Sequence, residues 1–334
     1  MRTLTIFAFL SLCLASCSSG GSSSSPIPIV TPAPTPAAGT PITAGISAGG
    51  ALYQAVLGPD NRVWFSEFSK DRVAAMTSAG VVTEYAAAAN TQPNGIAVGS
   101  DGNIWAGGYG GVIYKFSVAG AVLGTYTVAG AHFGSLVAGP NNLIWFTDYG
   151  NNKVGTITTA GLVTEFASFA GGVSQLTVGA DGNLWVTQNA VGGGIDKVSP
   201  TGTLLAAYST GIPSNFTPNA IISGPDGNLY VTLDAFSATN NDAIAKISTS
   251  GTITIIGSLA PSTYPNQLAN GSDGNIYFSE YDAPRLGKIT VASGAVSETP
   301  FTPASGDGGF AALATGADGR LYLGSHNAIY PFTL

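Results

Sequence analysis

Short apolar runs such as Gly95-Ile96-Ala97-Val98 alternate along this chain with polar and turn-forming residues, and no segment repeats its apolar positions at the 3.6-residue spacing of a helix face. The pattern predicts short strands joined by tight turns. One phrase recurs seven times: Gly58-Pro-Asp-Asn-Arg-Val-Trp-Phe, Gly99-Ser-Asp-Gly-Asn-Ile-Trp-Ala, Gly139-Pro-Asn-Asn-Leu-Ile-Trp-Phe, Gly179-Ala-Asp-Gly-Asn-Leu-Trp-Val, Gly224-Pro-Asp-Gly-Asn-Leu-Tyr-Val, Gly271-Ser-Asp-Gly-Asn-Ile-Tyr-Phe and Gly316-Ala-Asp-Gly-Arg-Leu-Tyr-Leu. Successive glycines lie 41, 40, 40, 45, 47 and 45 residues apart, room for four strands per unit.

Each unit reads alike. A first strand leads into the Asp-Gly-Asn turn, whose Gly and Asn tolerate positive φ. A second strand carries Trp64, Trp105, Trp145, Trp185, Tyr230, Tyr277 or Tyr322. A third carries a basic residue beside an apolar one, at Arg72, Lys115, Lys153, Lys197, Lys246 and Lys288, and a fourth runs outermost. The last unit lacks its fourth strand, while the segment Pro41–Ile46 stands orphaned before the first. Pairing the two predicts an all-β, seven-bladed β-propeller of four-stranded antiparallel blades over residues 41–334, closed by an N-terminal strand that completes the last blade and leaves no open edge. The repeated aromatics are then blade-to-blade packing, and the turn aspartates serve their hairpins.

Composition narrows the function. Charged residues make up 9% of the chain, 46 residues are glycine, and the formal charge is −7. Such a chain lacks the basic surface that phosphate neutralisation needs, which excludes nucleic acid as a partner. At the N-terminus, Met1-Arg2 precedes an apolar run from Leu4 to Ala15, too short to span a bilayer and suited to a secretory signal. The run ends in Leu14-Ala15-Ser16-Cys17, which resembles the bacterial lipobox. The expectation is a signal peptide over residues 1–16, a lipid on Cys17, and a Ser- and Pro-rich tether over 17–40. The protein is then exported and held to the bacterial envelope, at the outer membrane where one exists. The chain has two cysteines, Cys13 and Cys17, so cleavage leaves no disulfide.

The phrase Gly-Pro-Asp-Gly-Asn-Leu with its following aromatic, the preceding Pro93-Asn94-Gly95-Ile96, and the strand ends Trp64-Phe65-Ser66-Glu67 and Tyr277-Phe278-Ser279-Glu280 resemble the streptogramin (virginiamycin B) lyase family. The resemblance implies a seven-bladed propeller and an Mg-dependent C–O lyase that opens cyclic streptogramin B antibiotics by elimination. It further implies a catalytic His at the second position of Pro-x-Gly-Ile, a metal-binding carboxylate two residues earlier, and another fourteen residues later. That place for the base holds Asn94, Gly134, Ser174, Asn219 and Asn266, with a residue near Ala312 in the last unit. The sixth unit keeps Glu280 but has Tyr264 and Asn266 where the first carboxylate and the base belong.

The same spacing brings His132 and Asp148 together at one rim, as two ligands to a shared metal or as a hydrogen-bonded pair. His326, Glu67 and Glu280 fall on that rim as well, and the longer connections 188–194, 234–242 and 281–284 emerge there. The candidate rim site is thus His132, Asp148, Glu67, Glu280, His326 and Asn266. It suits a module that binds a small molecule or protein. A streptogramin-type lyase and a lactonase-type metalloenzyme are the alternatives.

Overall fold

The computed structural model describes residues 35–166, 169, 171–235, 237 and 239–334. The signal peptide, Cys17 and most of the tether lie outside the described residues. Among the described residues, no helix is long and apolar enough to cross a membrane.

Seven four-stranded antiparallel sheets follow one another: blade 1 (52–86), 2 (93–127), 3 (133–165), 4 (173–208), 5 (217–261), 6 (265–300) and 7 (312–333). In blade 1 the strands are Leu52–Leu57, Val63–Glu67, Arg72–Met76 and Val82–Ala86, innermost to outermost. Blade 7 takes its outer strand from the start of the chain, as the sequence predicts. The register lies further upstream than Pro41–Ile46: Ala37 pairs with Thr333 and Ala38 with Phe332, and only Ile42 of the expected segment joins, bridging Ile329. Residues 43–51 are needed for the crossing from this outer strand to the inner strand of blade 1. On the way Ser47 bonds Glu84 through its hydroxyl at 2.7 Å, and Ile42 and Ile46 pack on the core between blades 7 and 1.

All seven second-strand aromatics are fully buried and fill the gaps between neighbouring blades. Trp64 packs with Ile96 and Ile104 of blade 2, and Tyr322 with Leu52 and Phe65 of blade 1. In six blades the turn aspartate fixes the ring. Asp101 accepts the Asn103 N–H at 3.1 Å and the Trp105 Nε1–H at 3.3 Å. The phrase opens on glycine because a Cβ at Gly99 would sit 2.6 Å from that same Nε1. In blades 2, 4, 5 and 6 the cation facing the ring across the strands is Lys115, Lys197, Lys246 or Lys288. Each lies over its ring, 5.1–5.7 Å from the centroid, and 2.8–3.0 Å from the turn aspartate.

The third-strand basic residues are therefore two series. Arg72 and Lys153 sit three residues nearer the opposite face, across from Glu67 and Asp148, and pair with Glu84 and Glu165 of the fourth strands. In blade 1, Arg62 from the turn itself takes over the ring, 4.9 Å above Trp64 and 2.5 Å from Asp60. Blade 3 has Asn141 where the aspartate would stand, and its Trp145 Nε1 is buried without a partner.

A second repeated device joins the blades near the other face. In six blades the first strand bulges where it meets the end of the second, between Leu52 and Ala55 in blade 1 for instance. In five blades a hydroxyl two residues after the core aromatic spans the gap to the next blade. Thr187 Oγ1 accepts the Gln175 N–H of its own bulge at 3.0 Å and donates to the Asn219 carbonyl of blade 5 at 2.8 Å. Ser66, Thr147, Thr232 and Ser279 do the same. Blades 2 and 7 have Gly107 and Gly324 there, and the next blade closes up on them: a Cβ would meet Leu136 at 2.9 Å and Leu52 at 2.9 Å.

Two outcomes follow from these devices. Thr187→Val keeps the shape but strands a buried donor and a buried acceptor, so urea unfolding is expected to show a loss of about 1–3 kcal/mol. Asp181, Asp226 and Asp273 are pushed upward by partial burial, but their Lys, Asn and aromatic donors outweigh that and bring each from 3.8 down to about 2. A lowered carboxylate pKa stabilises the fold above the unfolded value and is lost as pH falls through the folded one. Melting temperature is therefore expected to drop between pH 4 and pH 2, with a shallower drop in the triple Asp→Asn variant.

Candidate functional site

The face opposite the Asp turns carries the candidate chemistry. There the first strand begins and the second ends, so Leu52 faces Glu67, Phe133 faces Asp148 and Pro265 faces Glu280. The bulges bring Asn94, Asn219 and Asn266 to the inner wall of the ring, each at most 6% exposed. Their main-chain carbonyls accept the interblade hydroxyls described above. Asn219 Nδ2 donates to the Pro265 carbonyl at 3.3 Å, whereas Asn94 Oδ1 and Asn266 Nδ2 are buried with no partner.

Glu67 and Glu280 are fully buried at the ends of their strands, and neither carboxyl makes a hydrogen bond of ordinary geometry. Burial, then the neighbouring Glu84, pushes Glu67 up to about 8 against the pull of Arg72 and Lys70. Glu84 goes the other way: burial opposes it, but bonds from Ser47 and Arg72 hold its carboxyl below the usual range. Blade 6 repeats the arrangement. Burial and then Glu298 raise Glu280, and Arg285 stands 3.7 Å from Glu280 and 3.6 Å from Glu298. In both blades the inner carboxyl is thus pushed above the usual carboxylate range beside a second glutamate on the fourth strand.

His132 and Asp148 meet, but through the main chain. Asp148 accepts the His132 backbone N–H at 2.9 Å, the Asn151 N–H at 3.1 Å and Asn151 Nδ2–H at 2.7 Å. These three donors make it the staple of its own loop. The His132 side chain is exposed, with its ring 5.4 Å from that of Tyr109. His326 lies across the ring in blade 7, sharing a 3.2 Å hydrogen bond with the Tyr281 hydroxyl. The six candidate residues share one face but do not converge on one point. Among the described residues, no three His, Cys, Asp or Glu side chains are grouped to hold a metal ion. In blade 6, where the resemblance implies Mg, the donor set is Tyr264, Asn266 and the single carboxyl of Glu280, with the Arg285 guanidinium 3.7 Å from it. That set does not fit a divalent cation.

Sequence reasoning missed a further repeated position. The residue four places after the core aromatic is Phe68, Tyr109, Tyr149, Asn189, Tyr281 or His326 in blades 1, 2, 3, 4, 6 and 7. In five of these blades its N–H donates to the carbonyl seventeen residues earlier, as Tyr109 does to Gln92 and Tyr149 to His132. The rings follow one another around the rim: Tyr53 to Phe68 at 5.9 Å, Phe68 to Tyr109 at 5.4 Å, Tyr264 to Tyr281 at 5.8 Å and Tyr281 to His326 at 6.0 Å. They stand over a cavity of about 210 Å³ at the central mouth, whose lining includes Tyr53, Asn94, Ser174, Gln175 and Asn219. The signal was an aromatic ring just past the end of the second strand in five of the seven blades.

Comparison with known proteins agrees with this architecture. In structure the chain is similar to a streptogramin B lyase, with TM-score 0.78 and 24% identity over 88% of this chain and 97% of the other. It is similar to virginiamycin B lyase from Staphylococcus aureus at TM-score 0.77 and 22% identity, covering 90% of this chain and 99% of that one. A catalytically inactive variant of that enzyme, solved with quinupristin, matches equally well. Among curated proteins, no sequence matches significantly. The model of the virginiamycin B lyase family matches residues 44–170 and 167–329. On that match, which spans most of the sequence and the whole run of blades, the chain belongs to the virginiamycin B lyase family.

Proposed function

We propose that this propeller is an extracytoplasmic binding module, anchored through a lipid on Cys17, that holds a small molecule or protein at its central mouth without breaking a bond in it. The observation that carries this reading is the set of amides Asn94, Asn219 and Asn266 where the family resemblance calls for a histidine base. An amide does not take a proton near neutral pH, and elimination needs a group that does. His326 is engaged with Tyr281, and His132 stands outside the bulges. Family membership and the retained Glu280 favour a second reading, an active Mg-dependent C–O lyase. A lactonase-type metalloenzyme would require a tightly held cation.

Incubating the purified protein with virginiamycin B and Mg²⁺, with chromatographic detection of the linearised product, is expected to give no more opening than buffer alone. Turnover would establish the lyase reading, and stoichiometric metal in the purified protein the lactonase one. For the anchor, Cys17→Ser is expected to abolish palmitate incorporation in a bacterial host and to release the protein from the membrane fraction. Continued labelling of the variant would refute lipidation at this residue.

A further inference from the structure

The aromatic rim sits over two adjoining cavities that share Tyr53. One is the mouth itself, about 210 Å³, reaching Tyr109 and Tyr149; the other, about 230 Å³, lies between Phe68, Tyr281 and His326. No Asp, Glu, Lys or Arg lines either one. In a chain of net charge −7, whose ionised side chains are spent on turns and strand pairs, this neutrality selects against charged ligands.

What remains is a pair of small compartments walled by aromatic side chains, the mouth with amides at its floor and the other with Ser69, Tyr281 and His326 as its polar groups. Asn94, 4% exposed, offers an Oδ1 acceptor with no protein partner, and Gln175, Asn189 and Asn219 add further amides. Each volume falls below the roughly 300–1,000 Å³ of a drug-sized ligand pocket, so one compartment takes one ring-sized unit. Two of the platforms are open to solvent: Tyr109 is 36% exposed and Tyr149 50%. A pyranose meets all of these conditions. One of its faces is C–H and stacks on an aromatic ring, and its hydroxyls both donate to and accept from amides and phenols.

The geometry points to an uncharged oligosaccharide as the ligand, with successive sugar rings seated in the two compartments and stacked on the tyrosines of the rim. This rests on the binding-module reading for its location and adds the chemical class of what is bound.

Calorimetric titration of the full-length protein with cellopentaose, xylopentaose, laminaripentaose, maltopentaose and chitopentaose tests it, with oligogalacturonate as the anionic counterpart. At least one neutral sugar is expected to bind, and oligogalacturonate not to. Tyr109→Ala and Tyr149→Ala, both at exposed side chains, are expected to keep the wild-type melting temperature and weaken binding roughly three- to tenfold each. The assignment is overturned by silence from all five sugars, by binding that both variants leave unchanged, by equal affinity for oligogalacturonate, or by virginiamycin B occupying the mouth where the sugars do not. The outcomes separate cleanly from those above. A protein that binds a neutral sugar and also linearises the antibiotic keeps this ligand and loses the non-catalytic reading.

Discussion

A propeller blade has two faces, and each must fit a neighbour, so the fold depends on how one sheet is held against the next. Here the holding is done twice, by different chemistry. Near the Asp turns it is apolar: a large ring from each blade is buried against the next, its one polar atom tied back to the turn in every blade but the third. Near the opposite face it is polar: a serine or threonine satisfies the stranded amide of its own bulge and, with the same oxygen, reaches the neighbouring blade's carbonyl. The bulge exposes main-chain groups in a place without water, and the hydroxyl makes that arrangement tolerable. Because the bulges also carry Asn94, Asn219 and Asn266, the device that fixes blade spacing fixes the inner wall of the mouth.

The amides give that wall its character. A histidine at the same bulge would place a titratable base beside the strand-end carboxyls. An asparagine offers hydrogen bonds without changing charge. The carboxyls behave accordingly: Glu67 and Glu280, buried beside Glu84 and Glu298, are pushed above the usual carboxylate range. Outward of them, on the third and fourth strands, Arg72 pairs with Glu84 and Arg285 with Glu298.

Much of this was legible in the sequence. The repeated phrase gave the number of blades, the buried role of the aromatics and which strand ends share a face, because these follow from local pattern and chain order. The complementary ends gave the closure but not its register: alternation in Pro41–Ile46 looks like a strand, whereas its length is consumed in crossing between blades. His132 and Asp148 meet through the His132 main-chain N–H, and spacing cannot tell that group from an imidazole. The pairing of Glu67 with Glu84 and of Glu280 with Glu298 depends on strands far apart in sequence, and no local rule reports it. The rim aromatics were in plain view, one place past the strand ends where reading stopped. The two series of third-strand cations merged for a similar reason, since a shift of three residues along a strand decides which face of the molecule it serves.

The joints between blades 2 and 3 and between blades 7 and 1 lack the bridging hydroxyl and meet glycine against carbon instead. Between blades 7 and 1 the main chain takes over the bridging, with the Leu52 N–H donating to the Ser325 carbonyl at 3.0 Å and the Ala51 N–H to the His326 carbonyl at 3.3 Å. Dispersion contact has little directional preference, so near the mouth a small relative rotation costs least between blades 2 and 3. His132 lies beside that seam, with Tyr109 across it. An adjustment of the mouth to an occupant meets its least resistance along that one line.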